Sequence, residues 1–108
     1  MKLFITGIGT DVGKTVVSAI ITEALAADYW KPIQAGDLNA SDSHQIKSYL
    51  SNSKTVIHPN SYALNTPASP HLAAELDHIT ISLEHIFVKI RFVFNSAQTL
   101  HPRFIQDN

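Results

Sequence analysis

The hydrophobic pattern changes period early in the chain. Leu3-Phe4-Ile5 is a short apolar run closed by Gly7, the pattern of a buried strand feeding a turn. From Lys14 onward, Val17, Ile20, Ile21, Ala24 and Leu25 share one helical face, with neither Gly nor Pro until Pro32. The expected opening is therefore strand, glycine turn, helix. Asp28 is expected to end the helix. Tyr29-Trp30-Lys31 then reads as a second short strand stopped by Pro32, with Gln34 to Asn39 as loop.

Ser41-Asp42-Ser43 supplies helix-capping chemistry, with Gln45 three residues after Asp42, ahead of a short helix whose apolar positions are Ile46, Tyr49 and Leu50. Residues 51–71 are rich in Ser, Asn, Thr and Pro; Pro59, Pro67 and Pro70 favour an extended, looped path. A short helix is expected at Leu72–Leu76. The β-branched and aromatic run Ile86–Phe94 reads as a strand with Lys89 and Arg91 on one face, which argues against burial on both sides. Pro102 to Asn108 reads as a frayed end, and the chain has no internal repeat or low-complexity stretch.

Composition narrows the partners. The 108 residues, 44% of them hydrophobic, amount to one domain near the lower size limit for an α/β fold. Eight basic against nine acidic residues give a net charge of -1, with no electrostatic footprint for nucleic acid or an anionic membrane, so small molecules are the expected partners. There is no cysteine, hence no disulfide and no thiolate metal site. The first apolar run is too short for a signal peptide or a membrane span, and a cytoplasmic location is expected. The six histidines (His44, His58, His71, His78, His85, His101) contain no pair spaced four apart and read as surface or loop residues; Tyr29 and Trp30 read as core.

The chemistry is concentrated in G-I-G-T-D-V-G-K-T, residues 7–15. Glycines at a strand-to-helix turn let backbone N–H groups converge on an anion at the helix N-terminus. Lys14 can extend along bound phosphates, and the Thr15 hydroxyl suits Mg²⁺. Five residues separate Gly7 from Gly13-Lys14-Thr15, one more than the common phosphate-loop spacing. An ordinary helix-capping glycine turn is the alternative, and the flanking strand and helix weigh against it.

With K-P-I-Q-A-G, S-D-S and P-A-S-P-H following in order, residues 1 to about 86 resemble the dethiobiotin synthetase family. That family's loop reads GTDTxVGKT; Ile8 and Gly9 replace its Thr and Asp, Thr10, Val12, Gly13, Lys14 and Thr15 match, and Asp11 stands at the variable acidic position. The resemblance implies an α/β, P-loop NTPase-like fold, a mainly parallel sheet flanked by helices, incomplete relative to the family. It also implies ATP- and Mg²⁺-dependent closure of 7,8-diaminopelargonic acid and CO₂ to dethiobiotin by a homodimer.

By the same resemblance Lys31 and Lys14 are the expected catalytic residues. Asp11, Val12, Gly13, Lys14, Thr15, Val16 and Asp42 are the expected ATP contacts, and Thr15 and Asp42 the Mg²⁺ ligands. Asp42 has helix capping as an equal alternative. Ala35 and Ala68 stand where the family has hydroxyl residues, which leaves Ala35, Ser69 and His71 as weaker candidates for substrate contact.

The family continues with a Glu-Gly-Ala-Gly-Gly turn, but all four glycines here (Gly7, Gly9, Gly13, Gly36) precede residue 37. Residues 87–108 match nothing in the family and are expected to be a frame-shifted or truncated tail. Two other readings compete. A partitioning-type ATPase with a KGGVGKT loop is opposed by Gly9, which stands in the place of the signature lysine; a non-catalytic nucleotide-binding fragment stays open.

Overall fold

The computed structural model describes the backbone of residues 2–9, 13–100 and 104–107, and side chains as far as residue 94. β1 (Lys2–Ile5) leads through the glycine loop to α1 (Lys14–Leu25), then β2 (Asp28–Trp30) and β3 (Ile33–Ala35). A single 3-10 turn (Leu38–Ala40) precedes α2 (Asp42–Tyr49), β4 (Ile57–His58), β5 (Tyr62–Leu64), α3 (Pro70–Leu76), α4 (Leu83–Leu100) and β6 (Phe104–Asp107). The main sheet has the order β1-β6-β2-β4 and every pair in it is parallel; β3 and β5 form a second, two-stranded parallel sheet. Parallel neighbours need crossover connections, and the helices supply them. No helix among the described residues is long and apolar enough to cross a membrane.

The core is organised by β2. Tyr29 and Trp30 are fully buried, and successive strand side chains point to opposite faces. On one face Tyr29 packs with Ala19, Ala27 and Ile46, flanked by Leu3, Ile5, Ile21, Leu25 and Ile57, which binds α1 and α2 to the sheet. On the other face Trp30 meets Val93, with Ile86, Ile90 and Phe94 around it, which binds α4. Burial of each aromatic contributes about 1.5–3 kcal/mol. Two helical layers thus share one three-residue strand. Leu64, Ala73 and Ala74 pack with Ile33 and Ile81 into a separate cluster under the second sheet.

Several sequence expectations are corrected. Ile86–Phe94 is helical, not a strand. Its apolar positions 86, 90, 93 and 94 recur at helical spacing, and packing that stripe on Trp30 outweighs β-propensity. In α1 the buried face is Ser18, Ala19 and Thr22, whereas Val17 and Ile20 are exposed: small residues let the helix approach the sheet closely. The Gln34–Asn39 loop contributes to β3 and the 3-10 turn, and the 51–71 loop carries β4 and β5. The helix expected at Leu72 begins at Pro70, whose fixed φ suits a first turn.

Helix α1 ends at Ala26 in the left-handed conformation, so Asp28 opens β2. Phe4 is 59% exposed, so β1 is buried on one side only. The end expected to fray contains β6, which pairs with both β1 and β2 through Phe104–Asp107. His58, expected at the surface, is buried with its Nε2 2.9 Å from Oδ2 of fully buried Asp28. The other Asp28 oxygen accepts the Val56 amide at 3.1 Å.

Because α4 buries Val93 and exposes Phe92, Val93→Asp should cost about 3 kcal/mol or more in urea unfolding, and Phe92→Asp about 0.5 kcal/mol or less. The reverse order would indicate strand packing in this segment.

Candidate functional site

The site forms where the glycine loop, the end of β2, β3 and the start of α2 meet. Gly13 caps α1 with φ 82°, and no acidic side chain occupies the first turn. The early amides of α1 therefore present positive potential without a side-chain cap. Gly9, Gly13, Lys14, Thr15 and Val16 line one side of a cleft of about 560 Å³. Lys31, Gln34, Ala35, Asp37, Asp42 and Gln45 line the rest.

Lys31 emerges directly after buried Trp30, and its backbone is held from behind. Asn60 Nδ2 donates to the Lys31 carbonyl at 2.7 Å, Trp30 Nε1 donates to the Pro59 carbonyl at 3.1 Å, and the Pro32 carbonyl accepts from the Ser61 and Tyr62 amides. Asp42 is the first residue of α2, while Ser41 is its cap: Ser41 Oγ accepts the His44 amide and His44 Nδ1 accepts the Ser41 amide. That capping box releases the Asp42 carboxylate for other partners. Its Oδ2 forms an ion pair with Lys31 Nζ, and its Oδ1 accepts the Thr15 hydroxyl at 3.3 Å. Both side chains of the pair are mostly buried, at 13% and 22% exposure.

The expected site residues thus fall into groups. Gly13, Lys14, Thr15, Val16, Lys31, Ala35 and Asp42 share the cleft. Asp11 and Val12 lie outside the described residues. Ser69 caps α3, is exposed, and is not in the cleft lining. Its loop nevertheless abuts the site: a Cβ on Gly36, which has φ 76°, would lie 2.6 Å from Pro67 Cβ and 2.7 Å from Pro67 Cα.

Sequence reasoning did not single out Asn60, Asp77 or Gln34. Asp77 accepts the Asn65 amide and the Thr66 hydroxyl, both at 2.5 Å, and so tethers the loop leading to Pro67. Buried Gln34 donates to the Gly36 carbonyl at 2.9 Å. A buried Gln in an alternating strand carries no local signal, and the bonds of Asn60 and Asp77 join residues far apart in sequence.

A hydroxyl and one carboxylate, 3.3 Å apart in a polar cleft, fit Mg²⁺, which takes few protein ligands and keeps several waters. Among the described residues no group of three or more His, Cys, Asp or Glu could hold a metal ion, so a protein-only cage is not what this donor set resembles. A second hollow of about 490 Å³, between α1 and Tyr49, is lined almost wholly by apolar atoms and holds no such constellation.

A family model described as the AAA domain matches residues 1–104. The ATP-dependent dethiobiotin synthetase of Christiangramia forsetii is 68% identical over 78 residues, covering 72% of this chain and 38% of that protein. Those of Cytophaga hutchinsonii and Chlamydia pneumoniae are 54% and 50% identical over 80 residues, 74% of this chain and 38% and 35% of theirs. The chain therefore spans less than two fifths of the length of these relatives.

Two stability outcomes follow from the cleft walls. Gly36→Ala combines a left-handed backbone with a clash and should cost at least about 2 kcal/mol by thermal melting; Gly13→Ala, with no atom within 4 Å of its new Cβ, should cost about 1 kcal/mol.

The Thr66 hydroxyl bond holds the Asp77 carboxyl below its ordinary 3.8, and the Ser51 hydroxyl bond holds Glu23 below 4.5. Both depressed groups stabilise the fold fully above those ordinary values and lose that contribution as pH falls through the lowered ones. The melting midpoint should thus drop below about pH 4, less steeply in Asp77→Asn.

Proposed function

This chain belongs to the AAA-domain family of P-loop proteins, and from that premise we propose that it serves an ATP-dependent, dethiobiotin-synthetase-type step in biotin synthesis. The observation that carries this reading is the convergence of Lys14, Thr15, Lys31 and Asp42 on one cleft at the N-terminus of α1. The identity to dethiobiotin synthetases across more than two thirds of the chain supports it. The substrates we propose are 7,8-diaminopelargonic acid, CO₂ and ATP, with Mg²⁺ held by Thr15 and Asp42, in a cytoplasmic homodimer.

Each residue has a task in that chemistry. The α1 amides and Lys14 bind phosphate oxygens, joined in this proposal by Asp11, Val12 and Val16. Lys31 offers a fixed ammonium to two anions, the carbamate of the diamine and the phosphoryl group that transfers to it, before the neighbouring amine closes the ring. Mg²⁺, when bound, would offset phosphate charge. The walls at Ala35 and Gly36, backed by Pro67, set the side on which the diamine would lie, with Ser69 a further contact.

A second reading, nucleotide binding without turnover, is favoured by the donor set at Thr15 and Asp42, one hydroxyl in contact with one carboxylate, since no group of three or more His, Cys, Asp or Glu among the described residues could hold a metal ion. Phosphate release from ATP separates the two. Turnover requiring both diaminopelargonic acid and bicarbonate, reduced about 10²–10³-fold in Lys31→Ala, supports the ligase. Equal rates in both proteins would end that reading. A melting midpoint raised by Mg-ATP, corresponding to about 2.7 kcal/mol of added stability at a hundredfold excess over Kd, with no release in either protein, would leave nucleotide binding alone.

A further inference from the structure

We infer that Asp42 is also the positioning residue of Lys31, one carboxylate shared between that lysine and a divalent cation, so that lysine and cation compete for it. The inference rests on the metal reading above and goes beyond it. The two oxygens of Asp42 are divided: Oδ2 pairs with Lys31 Nζ, and Oδ1 accepts the Thr15 hydroxyl. Thr15 donates its proton in that bond, so its lone pairs remain available to a cation beside Asp42.

The supports are rigid on both sides. The Lys31 backbone is fixed by Asn60 and by Pro32, whereas its four-carbon stem can swing. Asp42 sits on the first turn of a helix held by the Ser41 box and by fully buried Ile46. A cation that takes negative charge from Asp42 weakens its hold on the Lys31 ammonium, which then turns to an anion in the same cleft. Competition for one group is reciprocal: whatever the metal costs the ion pair, the lysine costs the metal. Without a cation, the pair keeps Lys31 pointed into the cleft and spares it the cost of an unpaired, mostly buried charge.

The test is magnesium affinity of the full chain, titrated with magnesium chloride alone by calorimetry. Lys31→Met and, as a second neutral variant, Lys31→Gln should bind Mg²⁺ about threefold to tenfold more tightly than wild type. Lys31→Arg should stay within about twofold. Lys47→Met makes the same change in net charge at an exposed α2 position outside the cleft lining and should also stay within about twofold. Asp42→Asn should lose binding.

If neutral variants at Lys31 bind no more tightly while Asp42→Asn still loses the metal, the metal reading stands and the shared carboxylate is overturned. Equal tightening in Lys31→Met and Lys47→Met would assign the effect to net charge and overturn it as well. No magnesium binding by wild type, with none in the Lys31 variants, would overturn both.

Discussion

The structure depends on burial of β2 between two helical layers. Tyr29 and Trp30 have no solvent exposure, and each anchors a different layer: α1 and α2 on one face, α4 on the other. A strand pinned from both sides cannot slide without moving its whole hydrophobic set, so its C-terminal end has a fixed position. Lys31 is the next residue. The Trp30 indole bond to Pro59 and the Asn60 bond to Lys31 extend the same restraint around the turn. Buried Asp28 ties the other end of the strand to His58 and Val56 on the neighbouring strand β4 and the residue before it.

The cleft is assembled from elements that end at one place. Parallel strands bring their C-terminal ends to a common edge, and the loops and helix starts there face each other. Gly13 opens α1, Ser41 caps α2, and β3 delivers Gln34 and Ala35 to the same edge. The division of labour between Ser41 and Asp42 decides the electrostatics. Had Asp42 served as the cap, its charge would have been directed to backbone amides; with Ser41 in that role it meets Thr15 and Lys31.

Helix α4 and strand β6 have a definite place in the fold. Helix α4 covers Trp30, and β6 pairs with β1 on one side and β2 on the other. These two contacts give both sides of the sheet a layer and give β1 its parallel neighbour. The cost of exposing Trp30 and the unpaired edges of β1 and β2 accounts for why α4 and β6 form.

By itself the sequence determined the opening strand and helix, the short strand before Pro32, and Lys14 and Thr15 as phosphate-loop candidates, because glycine and proline geometry, helical periodicity and a fixed motif spacing act within a few residues. Lys31 and Asp42 became candidates only through the resemblance to dethiobiotin synthetases. The tertiary structure alone decided the rest. Ile86–Phe94 has strand composition, but a Trp30 surface far away in sequence selects its helical stripe. β3, β4, β5 and β6 are two to four residues long and exist through partners that no local pattern reveals. The buried Asp28–His58 pair, the pressure of Pro67 on Gly36 and the choice of Ser41 over Asp42 as cap have the same origin: they depend on what stands opposite in space.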